Sequence, residues 1–323
     1  MRRGGAVESC RVSYDPGRSR ANGSRRRNPK YLLPMRRPTT FVPDPALHAR
    51  LEALRGASVD VHRASDPVDD VHRAAPEDRE VVAFFAALLA FGNVKAIRAS
   101  IATFLGRLGD SPTRAVRRWG EIRTRRPLKG FRHRWVGEED LDALMRSVAG
   151  LLDRFGTLER AFAAGDTPDA ETTLPGLAAF ADRLEAGAGR DAARRGVKFL
   201  VAHPERGGAA KRMNLFLRWM VRPADGIDFG LWRSPSPSRL VIPLDVHIAF
   251  QARVLGLSRR RTPGMAMALE ITRALRRFDA ADPLRYDFSL CHLGIHGDCR
   301  GRRVAHVCAS CPLDPWCRLP KRR

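Results

Sequence analysis

Long apolar runs are missing from this 323-residue chain. None reaches the roughly 20 residues that span a bilayer. The longest, 81–91, spans only 11 residues and reads as a buried helix. The basic N-terminal stretch lacks the apolar segment of a signal peptide. From these absences a cytoplasmic, nucleoid-associated protein without membrane spans is expected. Alternating apolar–polar runs are also lacking, so the body reads as all-α. Lysine is scarce, with 6 of the 58 basic residues.

The charge that is present is one-sided. The net charge is +23, and residues 1–40 hold 11 Arg or Lys against 2 Asp or Glu. The rest of the chain stays strongly basic without them. A polyanion, most simply nucleic acid, is the natural partner; the alternative is a solvated, arginine-rich surface. Residues 1–34 carry no periodic apolar pattern, and 1–40 reads as a disordered basic tail. Met35 is a second candidate start, and Cys10 in this tail has no assigned role. Residues 41–323 read as one helical body.

Apolar periodicity predicts helices over 43–56, from Pro76 through 81–91 to Gly92-Asn93, from Ile97 to Leu105, and over 138–155, 158–164 and 174–186. Residues 110–136 read as irregular, with Trp119, Phe131 and Trp135 among arginines. That mix suits a nucleic-acid surface or a set of core anchors.

From residue 196 the pattern becomes more specific. A short helix over 196–202, a turn over 203–208 and a helix over 209–221 make a helix–turn–helix pair. Its glycines allow close backbone approach, and the free N–H groups at the second helix start suit a phosphate. An ordinary helix pair has the same outline. Lys211 stands where arginine is the default cation, and a lysine amine can act as a nucleophile where arginine cannot. Arg212 and the helix end would lower its pKa; a plain surface lysine is the alternative. The extended run 240–244 leads into Asp245, at the N-cap of a helix over 246–255 closed by Gly256. Asp245 is then a simple cap, or a carboxylate facing a cleft. His247 reads as structural.

Six cysteines are present, and four of them, Cys299, Cys308, Cys311 and Cys317, follow C-x8-C-x2-C-x5-C. Four thiolates hold zinc or a [4Fe–4S] cluster. His292, His296 and His306 are further candidate zinc ligands, and Cys291 reads as a core residue.

Taken together, these pieces resemble the endonuclease III-like helix-hairpin-helix DNA glycosylases. Gly207-Gly208-Ala209-Ala210-Lys211-Arg212-Met213-Asn214 is similar to their hairpin, with Lys211 at the Schiff-base lysine. Pro243-Leu244-Asp245-Val246-His247-Ile248, with Arg253-Val254-Leu255-Gly256-Leu257, resembles the segment carrying their catalytic aspartate, which falls on Asp245. Residues 293–317 resemble their [4Fe–4S] loop, so the resemblance favours that cluster over zinc, held by Cys299, Cys308, Cys311 and Cys317. The motif-bearing likeness covers 196–323. From about residue 60 the chain also resembles a bacterial family without an assigned activity, through KRMNLFLRWMVR (211–222), IPLDVH (242–247) and YDFSLCHLG (286–294).

The resemblance implies two helical lobes around a basic cleft, with Lys211 facing Asp245. It implies a monomer that excises a damaged base from duplex DNA, with an AP-lyase step through Lys211. Arg206, Gly207, Gly208, Ala209 and Arg212 would contact DNA, and Arg300, Arg302, Arg303 and Arg318 would face phosphates. Departures are also present. Pro204 stands three residues before Gly207, Ala209 replaces a hairpin glycine, and Lys211 lies 34 positions before Asp245. The insert 223–238, with Trp232, reads as a lid, a substrate-reading loop or a longer connection. No duplex-wedging glutamine is identifiable near Gly92-Asn93. A non-catalytic nucleic-acid-binding protein and a zinc-stapled interaction protein are the alternative functions.

Overall fold

A computed structural model describes residues 42–121, 126–295, 299 and 301–320. The expected tail 1–40, with Cys10 and Met35, lies outside the described residues, as do His296 and Arg300. The described part is mostly helical, as the lack of alternating runs predicted. Among the described residues no helix is long and apolar enough to cross a membrane.

Helix α1 (Pro45–His62) starts where Asp44 Oδ1 accepts the Ala46 N–H at 2.8 Å. It runs past the expected end at 56. The polar segment after it holds a further short helix, α2 (Val68–His72). Helix α3 (Arg79–Leu89) follows the turn Pro76–Asp78, and every residue from Val81 to Leu89 is buried. A helix apolar on all faces must be surrounded, and α3 is the central rod of the fold. Asn93 caps α4 (Val94–Leu108) by accepting the Lys95 N–H at 2.9 Å.

The irregular stretch contains α5 (Pro112–Arg117) and a two-residue antiparallel pair, β1 (Arg132–His133) with β2 (Val136–Gly137). Strands this short leave no alternating signature. Trp119 and Phe131 are buried core anchors, whereas Trp135 is partly exposed, with Arg195 over its ring. Helix α6 (Glu138–Phe155) occupies its expected span, with three acids in the first turn and Leu141, Leu144, Val148, Leu151 and Leu152 buried. Then come α7 (Leu158–Ala163), α8 (Leu174–Ala188), α9 (Arg195–Leu200) and α10 (Lys211–Val221). They are followed by α11 (Val246–Leu255), α12 (Met265–Arg276), α13 (Asp287–Ile295) and α14 (Ala305–Ala309).

Three groups of contacts organise these helices. α6 packs on α5, α7, α8 and α9, while α3 packs on α2, α4 and α10. α13 packs on α1 and α11. Gly294 allows the last approach, because a Cβ there would meet His247 Nδ1 at 2.5 Å.

The second half of α10 carries two buried arginines. Arg218 donates to Asp228 Oδ1 at 3.1 Å and is paired with Asp287 on α13. Arg222 pairs with Asp225 at 3.1 Å, Asp282 at 2.8 Å, and Asp228. Asp225 and Asp228 belong to the insert 223–238, which is laid along α10. Phe229 N–H donates to Trp219 O at 2.8 Å, and Trp232 N–H to Met220 O at 2.9 Å. Trp232 is buried and donates its indole N–H to Glu80 at 2.8 Å. The insert is therefore anchored along α10, which fits the longer connection among its three readings.

Removing one member of a buried charge network strands its partners in a low-dielectric interior. Arg222→Met should lower the unfolding free energy by about 3–5 kcal/mol in urea titration. A loss under ~1 kcal/mol would show that the network does not support the fold.

Candidate active site

Lys211 opens α10. The residue before it, Ala210, has φ +45° and ψ +39° and offers no side-chain cap to the helix. Such left-handed geometry is uncommon for a residue with a Cβ. The turn is closed instead by Asn214, whose Nδ2 donates to Ala209 O at 3.0 Å. Gly207, with φ +82°, takes the left-handed turn position, and both Gly207 and Gly208 are exposed.

Lys211 Nζ lies 3.4 Å from Asp245 Oδ2. The extended run before α11 brings Asp245 to the N-cap, where Oδ1 accepts the His247 and Ile248 N–H groups at 2.9 Å each. Cys291 on α13 donates its thiol to Asp245 Oδ2 at 3.5 Å. Burial pushes the Asp245 carboxyl up. The Lys211 ammonium, the Ile248 N–H, His247 and the Cys291 thiol outweigh it and hold the pKa below the usual carboxylate range. Burial, with Asp245 and Asp287 nearby, pushes the Cys291 thiol well above the cysteine range. Cys291 therefore stays a proton donor to an ionised Asp245.

These groups line a pocket of about 290 Å³. Its walls come from the α3–α4 turn (Phe91, Asn93), α10 (Lys211, Trp219), the start of α11 and α13 (Asp287, Phe288). A volume of this order is at the small end for ligand sites and suits one compact ring system. His292, a candidate zinc ligand by sequence, is instead buried in the wall, 3.3 Å from Asp66 and 2.9 Å from Phe288 O.

The other sequence candidates sit elsewhere. Arg206 is exposed at the turn but paired with Glu185. Gly207, Gly208 and Ala209 form the open turn and do not line the pocket. Arg212 does not face DNA as expected. It is 8 % exposed, donates to Phe199 O, and stacks 3.8 Å from the Phe199 ring centroid. Burial lowers its pKa to about 10. The hydrophobic faces of Phe91 and Phe199 draw the guanidinium inward. Arg303 is bound to Asp314, and the Arg318 guanidinium lies against Gly256.

The loop carrying Cys299, Cys308, Cys311 and Cys317 docks on the body, and none of the four lines the pocket. Trp316 donates its indole N–H to Asp44, and Arg318 N–H donates to Val254 O at 3.0 Å. The four thiols are free and half-buried. Burial raises the Cys311 and Cys317 thiols, and Cys299 adds to both. The donor chemistry suits zinc or an iron–sulfur cluster. Among the described residues, however, no group of three or more His, Cys, Asp or Glu is drawn together to hold a metal ion.

Trp219, Asp287 and Cys291 were not singled out as site residues by sequence reasoning. The spacing of Asp287, Cys291 and Ile295, one helical turn apart each, was the available signal.

The fold and site define a helical protein with a Lys–Asp pair in an aromatic-walled pocket. The chain belongs to the family described as "Protein of unknown function (DUF2400)", whose model matches residues 66–296. The pocket lies within that stretch, and the cysteine loop lies beyond it. No curated protein and no solved structure matches the chain.

Asp245 both caps α11 and pairs with Lys211, and the two roles separate by substitution. Asparagine caps as well as aspartate, whereas alanine loses the cap. D245A should be about 1 kcal/mol less stable than D245N. The depressed pKa makes Asp245 stabilising above its unfolded value, ~3.9, and that contribution is lost as pH falls through the folded pKa. D245N should therefore flatten the acid limb of a stability-versus-pH curve below about pH 4. An unchanged limb would refute the ionised pair.

Proposed function

We propose that the protein is a DNA glycosylase of base-excision repair that acts on a base turned out of the duplex into the Lys211–Asp245 pocket. Enzymes doing chemistry on a base must take it from the stack and hold it in a fitted site. The observation that carries the reading is the Lys211 Nζ–Asp245 Oδ2 pair, 3.4 Å apart, in a pocket walled by Phe91, Trp219 and Phe288. The net charge of +23 supports a polyanionic substrate. The uncapped start of α10 beside the exposed Gly207-Gly208 turn supports a phosphate contact.

The chemistry follows from the protonation states. As the C1′–N bond breaks, its electrons leave with the base and positive charge builds on the sugar. The Asp245 carboxylate stabilises that charge. A water then bonds to C1′ and gives a proton to Asp245. Amine attack by Lys211 requires its Nζ to leave Asp245 Oδ2, 3.4 Å away, and the ion pair opposes that departure. Hydrolysis is thus the primary reaction, and the Schiff-base lyase step is secondary. The same opposition favours a second reading, a non-catalytic nucleic-acid-binding protein. A [4Fe–4S] cluster on Cys299, Cys308, Cys311 and Cys317 would close the fold and take no part in these steps.

Duplexes carrying single damaged bases or an abasic site test the reading. Base release should fall about 10²–10³-fold in D245N. Borohydride should trap an adduct on the abasic duplex that K211A abolishes if the lyase step occurs. DNA binding without release or adduct on every duplex would sink the enzyme reading in favour of the binding protein. Anaerobically purified protein should carry iron and acid-labile sulfide in equal amounts, lost in C311A; zinc alone would refute the cluster.

A further inference from the structure

The β1–β2 hairpin stands beside the pocket and takes no part in the chemistry above. His133 ties it to the turn between α3 and α4: Nε2 pairs with Phe91 O at 2.9 Å and Nδ1 with Ser100 Oγ at 2.8 Å. Phe91, Gly92 and Asn93 of that turn line the pocket. Gly92 and Asn93 are exposed, so the turn is an open edge of the pocket. The hairpin tip, Arg134-Trp135, lies on this edge. A Cβ on Gly92 would meet Arg134 Cδ and Nη1 at 3.2 Å each. The Trp135 ring centroid is 6.3 Å from that of Phe91 and 4.4 Å from that of Phe199.

Three properties set the tip apart. Trp135 is 36 % exposed, the only exposed Trp, Tyr or Phe among the described residues. Arg134 has φ +56°. The only other non-glycine residue with positive φ among the described residues is Ala210, next to Lys211. Strain of this kind collects at ligand clamps and active sites. Cations accompany the indole. The Arg195 guanidinium carbon sits 4.8 Å from its ring centroid, and Lys198 is exposed one turn further along α9. Among the described residues no carboxylate pairs with Arg134, Arg195 or Lys198. The acids that follow the hairpin, Glu138 and Glu139, are engaged by the Gly130 N–H and by Arg194.

We infer that Trp135 is a base-stacking platform at the pocket edge. It takes an unstacked nucleobase on its indole, while Arg134, Arg195 and Lys198 hold the flanking phosphates. An exposed ring among cations suits a nucleic-acid strand, because the ring accepts any base and the cations follow the backbone. A base stacked on an indole gains more than an exposed guanidinium on the same ring. The base therefore displaces Arg195, which is then free for a phosphate. Another protein could cover the same indole, but the unpaired cations favour a polyanion. The choice of nucleic acid rests on the reading above, whereas the stacking contact requires neither Asp245 nor base release. Unstacked bases occur in a single strand and opposite a gap in a duplex, and the probes separate the two.

The test is fluorescence anisotropy with the full chain and three labelled probes. One is an oligothymidylate of about 15 nucleotides. The second has the same length with tetrahydrofuran in place of every nucleoside. The third is a duplex with one tetrahydrofuran opposite a base. Trp135→Ala should weaken the oligothymidylate about tenfold and leave the base-free strand unchanged. Trp135→Phe keeps a ring and should lose less. Damage to folding or charge would weaken both strands together and is thereby told apart. Arg195→Gln should weaken both strands and lower the slope of log affinity against log salt by about 0.7. A tenfold loss on the duplex as well places the platform beside an opened duplex; a loss confined to the oligothymidylate makes a single strand its partner. Unchanged oligothymidylate affinity in Trp135→Ala, or an equal loss on the base-free strand, overturns the inference. So does failure of the wild-type chain to bind oligothymidylate. Base release that persists despite such a failure leaves the glycosylase reading intact. Stacking on Trp135 without base release from any duplex overturns that reading and leaves the platform intact.

Discussion

Arg218 is the point on which the structure turns. Its guanidinium is held between Asp228 of the 223–238 connection and Asp287 at the start of α13. α10 belongs to the packing group of α3, whereas α13 packs with α1 and α11. One buried cation therefore joins the two groups and fixes the direction in which α13 presents Asp287 and Cys291. Arg222 repeats the device through Asp282 and Asp228. Hydrophobic contacts alone are not directional. Charge pairs with defined partners set the rotation of α10 against α13, and that rotation shapes the pocket.

The frame was legible where a single physical signal dominated. Helix α6 lies where an amphipathic stripe, first-turn acids and a terminal glycine agree, and helix α11 lies between its Asp245 cap and Gly256. The Asp245 cap and its approach to Lys211 were equally legible, since a cap is local and the family resemblance supplied the pairing. Less visible was anything set by long-range burial of charge. Arg212 is indistinguishable in sequence from its solvated neighbours, yet it turns inward onto Phe199. The insert with Trp232 read as a lid, a substrate-reading loop or a longer connection, and its indole N–H finds Glu80, 152 residues away in sequence. Cys291 read as core because its partner Asp245 lies on another helix. In each case the deciding partner is distant in sequence, and local pattern carries no record of it.

The cysteine loop illustrates the opposite case. Its spacing is the most conspicuous feature of the sequence, and its four thiols lie half-buried on one docked loop. Its attachments to Asp44 and Val254 tie the end of the described chain to α1 and α11. α1 and α11 both pack on α13, so the loop braces the wall that carries Asp287. None of its four thiols lines the pocket, so its bearing on the pocket is mechanical.

The electrostatics of the pocket and of the surface point in different directions. The protein carries +23, yet each of the three carboxylates at the pocket has a basic partner beside it: Lys211 for Asp245, Arg218 for Asp287, His292 for Asp66. The exterior carries a long-range positive field, while the carboxylates around the pocket are paired within it. Such a division is what a protein needs if it is to hold a polyanion by its backbone and admit only the uncharged base. It also explains why Asp245 can remain ionised in a buried setting: its charge is balanced by the Lys211 ammonium and by the His247 and Ile248 N–H groups.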